Sequence, residues 1–132
     1  MWDIGVDVVE VQRFRVLDYA ENKEFYNRVF TPREIEYCLS FRNPAQHFAA
    51  TYAGKESVYK AINNRIDIEL HRIEIIRDRN APKVNLMMED CGGPERTNSL
   101  PQIKVSLSHT SFYAVAFALA VFEDPKQARA IK

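Results

Sequence analysis

The chain has 132 residues, 46% hydrophobic and 27% charged, the balance of an ordinary globular protein with material for one modest core. Its 18 Lys and Arg are matched by 18 Asp and Glu, so no net field marks a nucleic-acid or membrane binder, and any charged ligand must be held by local clusters. Cys38 and Cys91 share no metal-ligand spacing with each other or with His47, His71 and His109, a pattern that favours reduced thiols over a disulfide or a zinc site.

From Met1 the chain runs directly into Asp3 and Asp7, without the basic start and long apolar stretch of a signal peptide. Trp2 to Val11 is rich in Val and Ile and reads as a buried strand. Arg13 to Val29 mixes Phe14, Leu17, Tyr19, Phe25, Tyr26 and Val29 with charges, as one or two short amphipathic helices would. Thr31-Pro32-Arg33-Glu34 predicts a helix start, with a Thr cap, Pro in the first turn and Glu closing a capping box; that helix runs to about Ser40. Asn43-Pro44 starts the longest helix, to about Asn63, with apolar residues at helical spacing.

The period then changes. His71 to Arg77 and Lys83 to Met88 alternate around a turn at Arg79-Asn80-Ala81-Pro82, which predicts a hairpin. Cys91 to Pro101 reads as a loop, and Ile103 to Ser108 and Phe112 to Phe122 as two further strands with a turn near His109 to Ser111. The longest apolar run, Tyr113 to Phe122, is far short of a membrane span, so a cytoplasmic location is expected. No repeat or linker divides the chain, and strands flanking a helical middle predict a single α+β domain over residues 1–132 with a largely antiparallel sheet.

Three segments carry candidate chemistry. In Ile4-Gly5-Val6-Asp7-Val8-Val9-Glu10, alternation sets Gly5, Asp7 and Val9 on one strand face and Ile4, Val6 and Val8 on the other. Asp7 is then either half-exposed near a strand end or held by a cation, because a buried carboxylate needs one. In Gly54-Lys55-Glu56-Ser57-Val58-Tyr59-Lys60, Glu56 and Lys60 share a helix face, as a surface ion pair or as a carboxylate and cation for a metal and its phosphates. Val105-Ser106-Leu107-Ser108-His109 ends a strand in a polar cluster whose histidine is structural or functional.

Taken together, in this order and at these separations, the segments closely resemble the holo-acyl-carrier-protein synthase family. Its opening motif is matched by Gly5-Val6-Asp7-Val8 with Glu10 and Arg13, and its Phe-Thr-x-x-Glu element by Phe30 to Glu34. Its helix motif is matched by Ala53 through Ala61, and its closing Val-Ser-x-Ser-His by Val105 through His109, followed by Tyr113-Ala114. Departures are Gly54 and Ser57 where alanine is usual, Thr51 where Arg or Trp is frequent, Ala81-Pro82-Lys83 in place of Gly-x-Pro, and a shorter segment before Val105.

The resemblance implies a 4′-phosphopantetheinyl transferase fold, its sheet packed on one long helix plus short helices. It implies transfer of 4′-phosphopantetheine from coenzyme A to a serine of an apo acyl-carrier protein, as in fatty acid biosynthesis, with release of 3′,5′-ADP. Asp7 and Glu56 would bind Mg²⁺, Lys60 would offset phosphate charge, and Glu56 or a water would take the serine proton. His109 would contact a coenzyme A phosphate, with Lys55 in a secondary role. Arg13 and Arg28, with Arg15 and Lys23 nearby, would receive the acidic carrier. Relatives are trimers with active sites between subunits, so a homotrimer is expected. Two other readings retain the same fold: a non-catalytic coenzyme A- or carrier-binding module, and a structural trimeric subunit.

Overall fold

The computed structural model describes residues 1–78, 81–88 and 100–123. Along the chain these form β1 (Trp2–Glu10), α1 (Gln12–Val16), α2 (Lys23–Val29), α3 (Pro32–Leu39), α4 (Pro44–Ile62), a 3₁₀ turn at Leu70–Arg72, β2 (Ile73–Ile76), β3 (Lys83–Leu86), β4 (Gln102–His109) and β5 (Tyr113–Val121). The fold is α+β, and every described strand pair is antiparallel: β1-β5-β4 make one sheet and β2-β3 a second.

The position of α4 follows from small side chains. β5 alternates Ala114, Ala116, Ala118 and Ala120 toward the helix, all fully buried, and α4 answers with Ala49, Ala53, Gly54, Ser57 and Ala61. Pairing sets Asp3, Gly5, Asp7 and Val9 of β1 beside those alanines on the same sheet face. Closest approach is at Gly5, where a Cβ would stand 1.9 Å from the Ser57 carbonyl oxygen. Glycine is required there for want of room, so the helix backbone rests directly on β1.

Two apolar clusters flank this contact. Phe14, Tyr26, Phe30 and Phe48 join α1, α2 and the start of α4 through tilted and edge-on rings. Val58, Ile62, Ile68, Ile73, Ile75 and Phe122 close the other end. The expected capping box forms: Thr31 Oγ1 accepts from Glu34 N–H at 3.2 Å while Glu34 Oε1 accepts from Thr31 N–H at 2.9 Å.

Some expectations need adjusting. The first strand of the hairpin begins at Ile73, because Leu70–Arg72 close a 3₁₀ turn. β1 is buried on one face only. Ile4, Val6 and Val8 are 52%, 55% and 61% exposed, since one helix covers one side of the sheet and nothing among the described residues covers the other. With Trp2 of β1 and Val115, Phe117 and Val121 of β5 they make a broad exposed apolar surface. Most of the segment Cys91 to Pro101 lies outside the described residues, as do Arg79 and Asn80 of the hairpin turn. Among the described residues no helix is long and apolar enough to cross a membrane.

Candidate active site

Gly5 fixes the helix on the strand, and two residues along the same strand face Asp7 meets its flank. Asp7 pairs in register with Ala116, which leaves space over the sheet, and its carboxylate is 16% exposed. Lys60, in the last turn of α4, donates to Asp7 Oδ1 at 3.1 Å and to the Val6 carbonyl at 3.0 Å. Its side chain is half exposed, so the pair contributes at most about 1 kcal/mol to the fold. A carboxylate and an ammonium are thus held at an opening with little structural need for them.

Glu56 lies one turn back from Lys60 on the same stripe of α4, and Tyr52 one turn before that. The Arg13 guanidinium carbon stands 5.0 Å from the Tyr52 ring centroid. Burial raises the Tyr52 pKa, with Glu56 next in effect. In the sequence Tyr52 is one of the apolar positions at helical spacing, and its distance of four from Glu56 is what places the two on one helix face.

Lys55 does not join Lys60. The two are five positions apart on the helix and face different ways. The Lys55 ammonium is fully buried, donating to Glu34 Oε1 at 2.7 Å and to the Ile73 carbonyl at 2.6 Å. Glu34 also accepts from Ile75 N–H at 2.8 Å, so the pair ties α3, α4 and β2 together. Burial pushes the Glu34 carboxyl up and the Lys55 ammonium down, and in each the partner's charge is the largest opposing influence. Lys55, given a secondary role from the sequence, is thus placed in an interior ion pair.

His109 is also apart from the acidic site. It ends β4, paired with Ala114, two strands from β1 and one inward-facing residue beyond the row of Asp7, so about 12 Å separates the two backbones. Its ring meets that of His47 edge-on at 5.3 Å, near the start of α4. His47 stacks on Phe41 at 3.6 Å, and its pKa is lowered to about 4 by burial first, then by Arg77 and His109. Thr51 is buried beside them, donating to the His47 carbonyl at 2.8 Å and accepting from Arg77, so its side chain belongs to the core.

The remaining cations are on the surface. Arg13 is exposed over Tyr52, and Arg28 makes a solvent-exposed 3.9 Å pair with Glu24 on α2. Arg15 donates to the Ser111 carbonyl at 3.0 Å. Cys38 is buried, with its thiol pushed up to about 11 chiefly by burial, and is chemically quiet; Cys91 lies outside the described residues.

Among the described residues no group of three or more His, Cys, Asp and Glu gathers to enclose a metal. Asp7 and Glu56 offer two hard carboxylates at an open face, with the Lys60 ammonium beside Asp7. That donor set suits Mg²⁺ completed by water and substrate phosphate, and does not suit a closed zinc or calcium cage.

The sequence matches the 4′-phosphopantetheinyl transferase superfamily over residues 3–118. The holo-[acyl-carrier-protein] synthase of Chlamydia felis is 37% identical over 126 residues, which cover 92% of this chain and 98% of that protein. A Chronobacterium ammoniagenes ACPS–CoA complex has the same fold, with a TM-score of 0.73 at 23% identity over 94% of this chain and 99% of that one. The Helicobacter pylori holo-[acyl-carrier-protein] synthase in complex with coenzyme A aligns with a TM-score of 0.68 at 25% identity, over 91% and 99% of the two chains.

Proposed function

The chain belongs to the 4′-phosphopantetheinyl transferase superfamily, and we propose that it works as a single-domain holo-acyl-carrier-protein synthase, moving 4′-phosphopantetheine from coenzyme A to a carrier serine with Mg²⁺ and releasing 3′,5′-ADP. The observation that carries this reading is the inward row at β1, where Asp7 meets Lys60 beside Glu56 at an open face built by the Gly5 contact.

In this scheme Asp7 and Glu56 are the metal ligands. When bound, Mg²⁺ supplies charge neutralisation at the coenzyme A pyrophosphate. The serine hydroxyl attacks the β-phosphorus, the bond to the bridging oxygen breaks, and the electron pair leaves with 3′,5′-ADP. Such a transfer asks the protein for positioning and charge rather than covalent help. The Lys60 ammonium turns from Asp7 toward phosphate oxygen and offsets charge gathering there. Glu56 accepts the serine proton. Lys55 has a structural role, locking α4 so that Glu56 and Lys60 stay over β1.

His109 lies two strands from Asp7 within the chain, and the trimer expected of the family offers a second route to the phosphates. With active sites between subunits, His109 of one copy would serve the coenzyme A phosphates held at Asp7 of the next. The exposed apolar face of β1 and β5 supports such association, because a monomer rarely leaves so much contiguous aliphatic and aromatic surface in water. Arg13 and Arg28 receive the acidic carrier, and the cytoplasm is the compartment that such partners imply.

The test is incubation with coenzyme A, Mg²⁺ and candidate apo-carriers, read by intact mass, with light scattering for the oligomer. A carrier gaining one phosphopantetheinyl group supports the proposal. Tight coenzyme A binding without turnover on any carrier would return the non-catalytic binding module instead.

A further inference from the structure

Two acids on the inward face of β1, Asp3 and Asp7, meet cations from the end of α4 and the turn beyond it, and the two meetings differ. Asp3 pairs with Arg65 at 3.8 Å, an open contact between partly exposed side chains. The Lys60 ammonium instead sits in a fork on the strand, donating to Asp7 Oδ1 at 3.1 Å and to the Val6 carbonyl one residue earlier at 3.0 Å. An ammonium has three donors, so the strand takes two and leaves one for solvent. The Asp7 carboxylate is 16% exposed, so few directions remain open to a second cation. Mg²⁺ bonds carboxylate oxygen at about 2.1 Å, and an ammonium 3.1 Å from one oxygen of the same group faces it as a like charge. Asp7, Glu56 and Lys60 together carry one net negative charge, a weak attraction for a divalent ion while Lys60 stays in the fork. A diphosphate adds the missing charge and gives the ammonium somewhere to go.

We propose that Lys60 is a built-in competitor for Asp7, so that the site takes a divalent cation together with a diphosphate and only poorly alone. The proposal rests on the metal-binding reading of Asp7 and Glu56, and it adds to that reading an order of assembly. Diphosphate oxygens draw the ammonium out of the fork, and Asp7 is then open to the metal that the same oxygens bring. Between turnovers the ammonium returns and compensates a mostly buried carboxylate. Metal and diphosphate are therefore coupled: the factor by which one tightens the other is the same in both directions, and such couplings run about 5–150-fold.

Lys60→Met keeps most of the side-chain length and removes its charge. Mn²⁺ serves as the probe, its binding read from the free-ion electron paramagnetic resonance signal with and without coenzyme A, against a protein-free blank. Lys60→Met should bind Mn²⁺ alone about 3–5-fold more tightly than the wild type, the scale of a partly exposed ion pair. With coenzyme A present it should bind Mn²⁺ more weakly than the wild type, so the coupling between the two ligands falls about 10-fold. Lys60→Arg keeps the cation and should bind Mn²⁺ alone as the wild type does. Arg65→Met removes an equal charge from the Asp3 pair, about 13 Å along the same strand face and beyond the screening length, and should leave Mn²⁺ binding within about twofold. Both Lys60 variants should melt within about 4 °C of the wild type. Unchanged or weaker binding of Mn²⁺ alone by Lys60→Met overturns the competition, as does equal tightening by Lys60→Arg or Arg65→Met. Wild-type Mn²⁺ binding by both Asp7→Asn and Glu56→Gln with coenzyme A present overturns the metal reading itself, and the competition with it.

Discussion

The most demanding prediction concerns Gly5→Ala, one methyl group placed where the helix rests on the strand. Its carbon would lie 1.9 Å from the Ser57 oxygen, 2.9 Å from the Ser57 carbonyl carbon and 3.0 Å from the Ala61 nitrogen, all backbone atoms of α4. Ordinary contact is about 3.5 Å, so the helix must retreat by roughly 1.5 Å. No side-chain rotation can absorb this. Overpacking of this kind costs about 1–3 kcal/mol, a loss of up to about 10 °C in melting temperature for a chain of this size. The larger effect falls on function. Lys60 rides on α4 and Asp7 on β1, so the 3.1 Å link between them opens beyond hydrogen-bond reach, and Glu56 moves with the helix. A misplacement near 1 Å in a positioning-dependent reaction is associated with about 100-fold loss. Carrier conversion by intact mass and calorimetric melting measure both effects. Gly54→Ala is the control: its Cβ would meet side-chain atoms rather than backbone, Leu107 Cδ2 at 3.0 Å and Ile75 Cγ1 at 3.3 Å, so a shift of a few tenths of an ångström accommodates it and activity should stay close to wild type. A Gly5→Ala enzyme within threefold of wild-type kcat would refute the claim that this contact sets the site.

Other expectations follow from the same geometry. Lys55→Met strands the Glu34 carboxylate in the core and should lower stability by about 3–5 kcal/mol, or about 10–20 °C; a calorimetric shift below about 3 °C would contradict the interior ion pair. His47 ordinarily titrates at 6.5 and is pushed down to about 4, so between those values the unfolded chain takes up a proton that the folded chain refuses. Its contribution to stability is therefore full above about 6.5 and declines as the pH falls toward 4. His47→Gln should flatten the denaturation midpoint over that window, and identical slopes would remove the basis of the assignment. Arg28→Glu should raise the carrier KM and flatten its salt dependence with kcat little changed, since exposed charge acts on encounter; parallel salt curves at equal KM would mean that the carrier docks elsewhere.

What was legible in the sequence was what local rules control. The Thr31–Glu34 box, the proline at the start of α4 and the alternation of β1 follow from neighbours a few residues apart, and each appears close to where it was expected. Asp7 and the Glu56–Lys60 face were legible as candidates for the same reason. Their meeting was not, because Asp7 and Lys60 are 53 positions apart and only the fit of Gly5 under Ser57 brings them together. Long-range pairing also hid the fate of Lys55. One residue from Glu56, it looked like part of the same cluster, but its helix face and the acid 21 positions earlier draw it into the core. The alternating apolar face of β1 gave the reverse error. Alternation predicts two faces, and it cannot say whether a second layer within the chain covers both.

The central claim is that Asp7 and Glu56 together form the transfer site. It is tested most directly by one intact-mass time course of an accepted apo-carrier with coenzyme A and millimolar Mg²⁺, running wild type, Asp7→Asn and Glu56→Gln side by side. Full conversion by the wild type and no measurable conversion by either variant are expected, with all three melting alike. Near-native conversion by either variant would contradict it.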